Sequence, residues 1–132
     1  MSASPQFSTT PKAVSIPVSA ANTNLDGTGS LGTDSFAAGA SGSRVDKINV
    51  QAIVTTTAGM IRLFLYDGSA YSLLKEIPVL ANTPSATNPA FSFTLTQEND
   101  AILPLVLPNG WSIKAATNNA EAFRINIFGG DF

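Results

Sequence analysis

Apolar and polar residues alternate along much of the chain from Arg44 onward. In the segment RVDKINVQAIVTTT, Ile48 and Val50 fall on one face, while Lys47 and Asn49 fall on the other. Side chains of a β-strand point alternately to opposite faces, so this spacing indicates a half-buried strand. No stretch shows the 3.6-residue period of an amphipathic helix. The pattern therefore predicts an all-β protein.

Turn residues divide the chain into about eight short strands. Asp67-Gly68 is a strong hairpin signal, and Pro108-Asn109-Gly110 is a turn by composition. The predicted strands are residues 12–18, 44–57, 60–67, 70–79, 91–95, 102–107, 111–117 and 122–128. Short strands at this spacing favour a two-sheet antiparallel sandwich, with an eight-stranded jelly roll as the expected topology. An immunoglobulin-like arrangement of the same strands stays open.

Two segments interrupt this regular pattern. Residues 1–11 contain Pro5, Phe7 and Pro11 among small polar residues and predict an extended N-terminal arm, which leaves residues 12–132 as one sandwich domain. The glycine-rich stretch from Ser19 to Ser43 is too long for an ordinary turn. It is either a surface loop with a function or contains an irregular edge strand around residues 35–38.

The composition of the 132-residue chain removes several classes of function. Without Cys it has no disulfides, thiolate nucleophiles or cysteine zinc sites, and without His it lacks the commonest general base. Seven Lys and Arg in a chain of net charge -2 form no phosphate-binding stripe, so we expect no nucleic-acid partner. No apolar run reaches the ~20 residues of a membrane helix, and the first residues lack the features of a signal peptide. We therefore expect a soluble protein with no membrane partner.

Two loop motifs suggest ligand sites only weakly. Residues 27–32 match G-x-G-x-x-G but follow no predicted parallel strand and open no helix, so we reject a nucleotide site. Residues 22–27 resemble the first half of a calcium loop, whose twelfth position requires Glu but here holds Thr33. Asp26 and Asp34 are weak candidates for a shared cation. An Asx-rich turn is the favoured interpretation, and no cofactor is expected.

Other side chains raise the hypotheses of catalysis and of subunit contact. Paired carboxylates could hydrolyse glycosides without His, but nothing in the sequence pairs two of them across a cleft. The candidates are Asp46, Asp67, Glu76, Glu98, Asp100 and Glu121. Trp111, Tyr66 and Tyr71 could form a sugar platform, although Trp111 is in phase with core residues. Phe64, Tyr66 and Phe128 lie opposite the apolar face of their strands, which more often indicates subunit contact.

Four segments carry a resemblance to a known group of proteins: NTNLDGTG, TTTAGMIRLFLYDG, LPNGWSIKAAT and the terminal GGDF. With the sequence between them, residues 13–132 resemble the head decoration, or capsid cement, proteins of tailed bacteriophages. The resemblance implies a jelly-roll-like sandwich that forms a homotrimer and binds the major capsid protein on the outer capsid surface, after synthesis in the bacterial cytoplasm. A related virion role, in a tail or fibre, stays open.

These considerations predict a non-enzymatic protein that reinforces a capsid. For capsid contact we predict the arm, with Pro5, Phe7 and Pro11, and the Asn22–Ser43 loop, with Asn22, Asn24 and Asp26. For trimer contact we predict Phe64 and Tyr66. The resemblance does not supply these assignments residue by residue. The alternatives are a receptor- or carbohydrate-binding module of a tail or fibre and, less favoured, a glycan-cleaving enzyme acting through Asp46 or Glu98.

Overall fold

A computed structural model describes residues 8–132, and within that range the regular secondary structure is entirely β. It contains nine strands. They are β1 (Thr10–Val18), β2 (Phe36–Ala37), β3 (Ser43–Ala52), β4 (Gly59–Tyr66), β5 (Tyr71–Val79), β6 (Ser92–Leu95), β7 (Leu105–Leu107), β8 (Ser112–Thr117) and β9 (Phe123–Asp131). The all-β prediction is confirmed.

The strands form two antiparallel sheets that pack face to face as a sandwich. Sheet I has the order β1-β9-β3-β6, and β7 also pairs with β3. Sheet II has the order β2-β8-β4-β5. Both sheets contribute alternate side chains to one apolar core, which is the packing expected of two sheets whose inner faces meet.

The core is built mainly from aliphatic side chains and Phe. Fully enclosed members from sheet I include Ile16, Ile48 and Ile125, and sheet II contributes Ile61 and Ile113. Each lies at a position that the alternating pattern places on the inner face of its strand. Burying one such side chain stabilises the fold by roughly 1.5–3 kcal/mol, so the core supplies most of the favourable energy.

The structure has one more strand than the eight predicted. The additional strand is β2. It lies in the glycine-rich segment for which the sequence pattern allowed either a surface loop or an irregular edge strand. Phe36 explains why two residues suffice there, because its side chain is fully buried in the core and the Lys12 ammonium lies 4.9 Å from its ring centre. Backbone pairing with Ile113 and Ser112 fixes the strand at the edge of sheet II.

Strand β9 continues beyond its predicted end at Phe128. Gly129 and Gly130 lie inside the strand and pair with β1 on one side and β3 on the other. A Cβ atom at Gly129 would lie 1.8 Å from the Arg44 carbonyl oxygen, which shows how closely the two backbones approach. Gly129 and Gly130, which follow the end of the last predicted strand, therefore extend that strand and permit close packing of the backbones.

Strand β1 begins at Thr10, two residues before the predicted start of the first strand at Lys12. Thr10 and Pro11 belong to β1 and pair with Asp131 and Gly130, and the Thr9 amide donates a hydrogen bond to the Asp131 carbonyl. Pro11 fits an edge strand because its missing N–H removes no bond that β9 requires. The predicted contact residues Pro5 and Phe7 lie outside the described residues.

A lysine–aspartate pair lies at each of the two open sides of the sandwich. On the β1–β2 side, Lys12 contacts the Asp131 carboxylate at 3.2 Å, and the Ser43 hydroxyl donates to the same carboxylate. On the β5–β6 side, Lys75 lies 2.8 Å from Asp100. These pairs occupy the gaps where the core would otherwise meet water.

Both aspartates have a pKa below the ordinary value. The Ser43 hydrogen bond, and then Lys12, lowers the pKa of Asp131. A hydrogen bond from Lys75, followed by one from the Ile102 backbone, lowers the pKa of Asp100. The charged carboxylates are therefore favoured in the folded protein relative to the unfolded chain.

Acid should destabilise the protein, whereas pH changes near neutrality should have little effect. A pKa that is lower in the folded state contributes stability above the ordinary Asp pKa, and this contribution is lost as the pH falls through the lowered folded pKa. We expect Tm to stay constant between about pH 6 and 8 and to fall below about pH 4, as measured by circular dichroism. Asp100→Asn should lower Tm at neutral pH and reduce its decrease in acid. A transition centred between pH 6 and 7 would contradict this assignment.

Candidate functional site

Three exposed apolar side chains lie on neighbouring loops at one end of the sandwich. Ile53 is 59% exposed and Leu80 is 68% exposed, and Val54 is also open to solvent. They belong to the β3–β4 loop (residues 53–58) and the β5–β6 loop (residues 80–91), which meet the β8–β9 loop (residues 118–122). We call these three loops the apolar end. Apolar side chains grouped in this way are typical of surfaces that contact another protein.

Hydrogen bonds join two of these loops. The backbones of Thr56 and Asn82 exchange two hydrogen bonds, with N···O distances of 2.9 and 3.0 Å. The buried Thr56 hydroxyl donates to the Leu80 carbonyl at 2.8 Å. Asn88 donates to the Thr83 carbonyl at 2.6 Å and thereby closes the β5–β6 loop on itself. The backbone that carries Leu80 is therefore held in one arrangement.

The third loop is joined to the first by side chains. Glu121 accepts hydrogen bonds from the Thr57 amide at 3.0 Å and from the Thr57 hydroxyl at 2.8 Å. Asn119 donates to the Thr57 hydroxyl and to the Ala58 carbonyl. The Ile53 amide donates to the Ala122 carbonyl. Because these loops are already ordered, a partner that covers Ile53 and Leu80 has little loop entropy left to remove.

The apolar end is also poor in charge. Residues 53–60 and 80–91 contain no charged side chain, and the Glu121 carboxylate is engaged by Thr57. The sequence did not single out this surface, because the alternating pattern extended the second predicted strand through Thr57 and placed Val54 on the same face as Ile48 and Val50. The strand ends instead at Ala52. In the sequence, only the two loops without charged residues, each with apolar residues beside it, indicate this surface.

The glycine-rich loop between β1 and β2 contains a second feature, a flap formed by residues 22–30. Backbone hydrogen bonds hold its base along the edge of β8. The Asn22 backbone amide donates to the Thr117 carbonyl and the Gly32 backbone amide donates to the Ala115 carbonyl, each at 2.8 Å. Gly27 lies against Tyr71 of β5, so closely that a Cβ atom would come within 2.3 Å of Tyr71 Cβ. The flap therefore covers part of the outer face of sheet II.

An arginine beneath the flap holds it to the sheet. The buried Arg62 Nη1 donates to the Asn22 carbonyl at 3.3 Å and to Asn118 Oδ1 at 3.1 Å. Its Nε donates to Glu76 at 2.9 Å. One guanidinium thus links the flap, β5 and the loop after β8, using donors that would be costly to bury without partners.

Internal hydrogen bonds explain the calcium-like spacing of the flap sequence. The Asn22 amide nitrogen donates to the carbonyls of Thr28 and Ser30 at 2.9 and 2.8 Å, so backbone oxygens converge on a side-chain nitrogen. Asp26 accepts from the Thr28 hydroxyl at 2.5 Å, a hydrogen bond that lowers its pKa. Asp34 lies exposed in the segment leading to β2. Residues 8–132 contain no group of three or more metal-ligating side chains.

The structure corrects two predicted contact residues. Phe64 lies opposite the core face of β4, as expected, but it is fully buried in the single chain, on the face that the flap covers. The prediction that it is exposed for trimer contact is therefore wrong. Asn22 is also buried, and its side-chain amide donates to a carbonyl within the flap, so this side chain is not available for contact with a capsid. Asn24 and Asp26 remain on the surface.

The predicted aromatic platform for sugars is not assembled. The Tyr66 and Tyr71 rings pack against each other with centroids 4.4 Å apart, and Lys114 lies 5.4 Å from the Tyr66 ring centre. Gly27 packs against the Tyr71 side chain. Trp111 lies elsewhere and packs against the core, as its phase predicted. The ring faces needed for stacking on a sugar are thus largely occupied.

Most candidate catalytic carboxylates have structural partners. Glu76 pairs with Arg62, Asp100 with Lys75, and Glu121 with Thr57, while Asp67 caps its own hairpin turn. Asp46 and Glu98 do line the same open surface depression, of about 430 Å³. Asp46 is bound there by Arg44 Nε at 2.7 Å, so one member of this pair is already neutralised by a neighbour.

Comparisons with protein-family models, with curated proteins and with solved structures give no significant match for this chain. In the described part of the chain there is no helix of the length and hydrophobicity needed to cross a membrane.

Substitution of Gly27 tests how the flap packs. Gly27 and Gly110 both have a left-handed backbone, with φ of 84° and 90°, but a Cβ atom at Gly110 would meet nothing within 4 Å. Gly110→Ala should therefore cost only the left-handed conformation, about 1–2 kcal/mol. Gly27→Ala should reduce the free energy of unfolding by about 1–3 kcal/mol more, as measured by urea denaturation, because of the contact with Tyr71.

A protein that carries a substitution at Tyr71 provides the control for this comparison. In a Tyr71→Gly protein the additional cost of Gly27→Ala should disappear, because glycine removes both the Tyr71 Cβ atom and the ring atoms that the new Cβ would meet. Equal effects of Gly27→Ala and Gly110→Ala in the otherwise unchanged protein would show that the flap does not pack on Tyr71.

Proposed function

We propose that this protein is a non-enzymatic structural component of a phage virion, a cement or decoration protein that binds the outer capsid surface and stabilises the shell. The observation that carries the proposal is the apolar end, where Ile53, Val54 and Leu80 are exposed on loops fixed by hydrogen bonds. Contact with another protein is the use that such a surface fits best. The sequence resemblance to head decoration proteins supplies the identity of the partner.

Repetition would make a small contact sufficient. Covering one exposed Leu or Ile side chain contributes roughly 1.5–3 kcal/mol before the costs of association. A repeating shell offers many equivalent sites, and linked copies bind with higher avidity than single ones. We therefore propose that the protein acts as a homotrimer, as the resemblance implies. Tyr66 remains a proposed trimer contact because its side chain is partly exposed.

We also infer that the sandwich is a jelly roll. Strands β6 and β7 pair with successive segments of β3, Ile48–Gln51 and Ser43–Val45, and can be counted as one interrupted strand. The strands then pair in a nested order. β1 pairs with β9, β2 with β8, β3 with the interrupted strand β6–β7, and β4 with β5 in a hairpin. Each sheet has four strands, as in an eight-stranded jelly roll. This topology is typical of viral capsid proteins but also of lectins.

The structure gives less support to the alternative of a tail or fibre module that binds carbohydrate. Its best candidate surface was the aromatic platform, and the rings of Tyr66 and Tyr71 are occupied by each other, by Lys114 and by the flap. A glycan-cleaving enzyme has still less support, because Asp46 is paired with Arg44.

Binding to shells that lack the protein tests the proposal. Purified protein mixed with expanded capsids should co-sediment with them and raise the temperature at which the shells rupture. Leu80→Asp should weaken binding by at least about tenfold, because a carboxylate would have to be buried in an apolar contact.

The matched control is Val106→Asp. Val106 is 58% exposed on the outer face of sheet I, away from the apolar end, so its substitution should leave shell binding unchanged. If the wild-type protein neither binds shells nor raises their rupture temperature, the proposed function is wrong. If both variants bind like the wild type, the function could stand, but the assignment of the contact to the apolar end would not.

A further inference from the structure

Both ends of the described chain lie at the opposite end of the sandwich from the apolar end. The Thr9 amide bonds the Asp131 carbonyl, and the Phe132 amide bonds the Gly42 carbonyl. The turns at residues 67–70 and 108–111 lie at this same end, where Gly110 approaches Gly68. We call it the terminal end.

The length of the strands sets the distance between the terminal end and the apolar end. The ten residues of β3 run from the terminal end to the apolar end, and ten residues of extended strand span about 30 Å. The apolar end is therefore well separated from the terminal end, and within residues 8–132 Leu80 is left exposed.

A covering partner must match a surface that is poor in charge. The two loops that carry Ile53 and Leu80 are charge-free, and Glu121 is engaged by Thr57. Such a surface is complementary to an uncharged apolar patch and would gain nothing from a strongly charged one. Its binding should accordingly depend little on salt.

We propose that the protein stands end-on on the shell, with the apolar end against an uncharged apolar patch of the capsid subunits and the terminal end directed outward. This inference rests on the proposed function and adds the orientation of the bound molecule. In this orientation Pro11, which lies in β1 at the terminal end, is directed away from the shell.

The absence of cysteine from the sequence permits a clean footprinting experiment. Leu80→Cys places a single thiol on the apolar end, and Asn109→Cys places one on an exposed turn of the terminal end. Each variant is treated with a maleimide reagent, free in solution and bound to capsids, after co-sedimentation has confirmed binding. We expect binding to slow the labelling of Leu80→Cys by at least tenfold and to leave Asn109→Cys unchanged. Binding should also persist between about 50 and 500 mM NaCl.

Each other outcome counts against the proposal in a recognisable way. Protection of Asn109→Cys, or equal labelling of both thiols on bound protein, would exclude end-on docking while leaving shell binding intact. If Leu80→Cys is protected in the free protein and Leu80→Asp converts an oligomer to monomers, then a second copy covers the apolar end. Failure of the wild-type protein to bind shells would refute the proposed function itself, before any labelling.

Discussion

The fold depends on the position of β9 between β1 and β3. The last strand of the chain pairs along its length with the first and the third, and its inner face supplies Phe123, Ile125 and Ile127 to the core. These contacts join residues far apart in the sequence, so the sandwich is complete only when the C-terminal strand has been inserted. Gly129 and Gly130 matter for the same reason, since they let β9 lie close to both neighbours.

The outer face of sheet II shows how a loop can override the pattern of its strand. Phe64 and Arg62 occupy positions that would face solvent in an uncovered sheet, yet both are buried. The flap makes this possible, because its Asn22 carbonyl accepts from Arg62 and Gly27 fits against Tyr71. Side chains that look available for a partner in the sequence are thus used within the chain.

The proposed function follows from a contrast between the two ends of the molecule. One end carries exposed Ile53 and Leu80 on charge-free, hydrogen-bonded loops, and the other gathers the chain termini and the tight turns. A sandwich with this polarity can bind at one end and remain accessible at the other. Under the proposed function, rigid loops and a small apolar surface suffice for a protein that acts by attachment.

The sequence by itself determined most of the strands but not all of their ends, because alternation of side chains is a local property that a segment such as residues 44–52 records independently. It also determined that Asp26 belongs to an Asx turn and that Trp111 faces the core. Only the tertiary structure decided that Phe64 and Asn22 are buried and that Ile53 and Leu80 form one exposed surface. Those outcomes depend on which loops lie close together in the folded chain. Contacts between distant segments do not appear in the hydrophobic pattern of either segment.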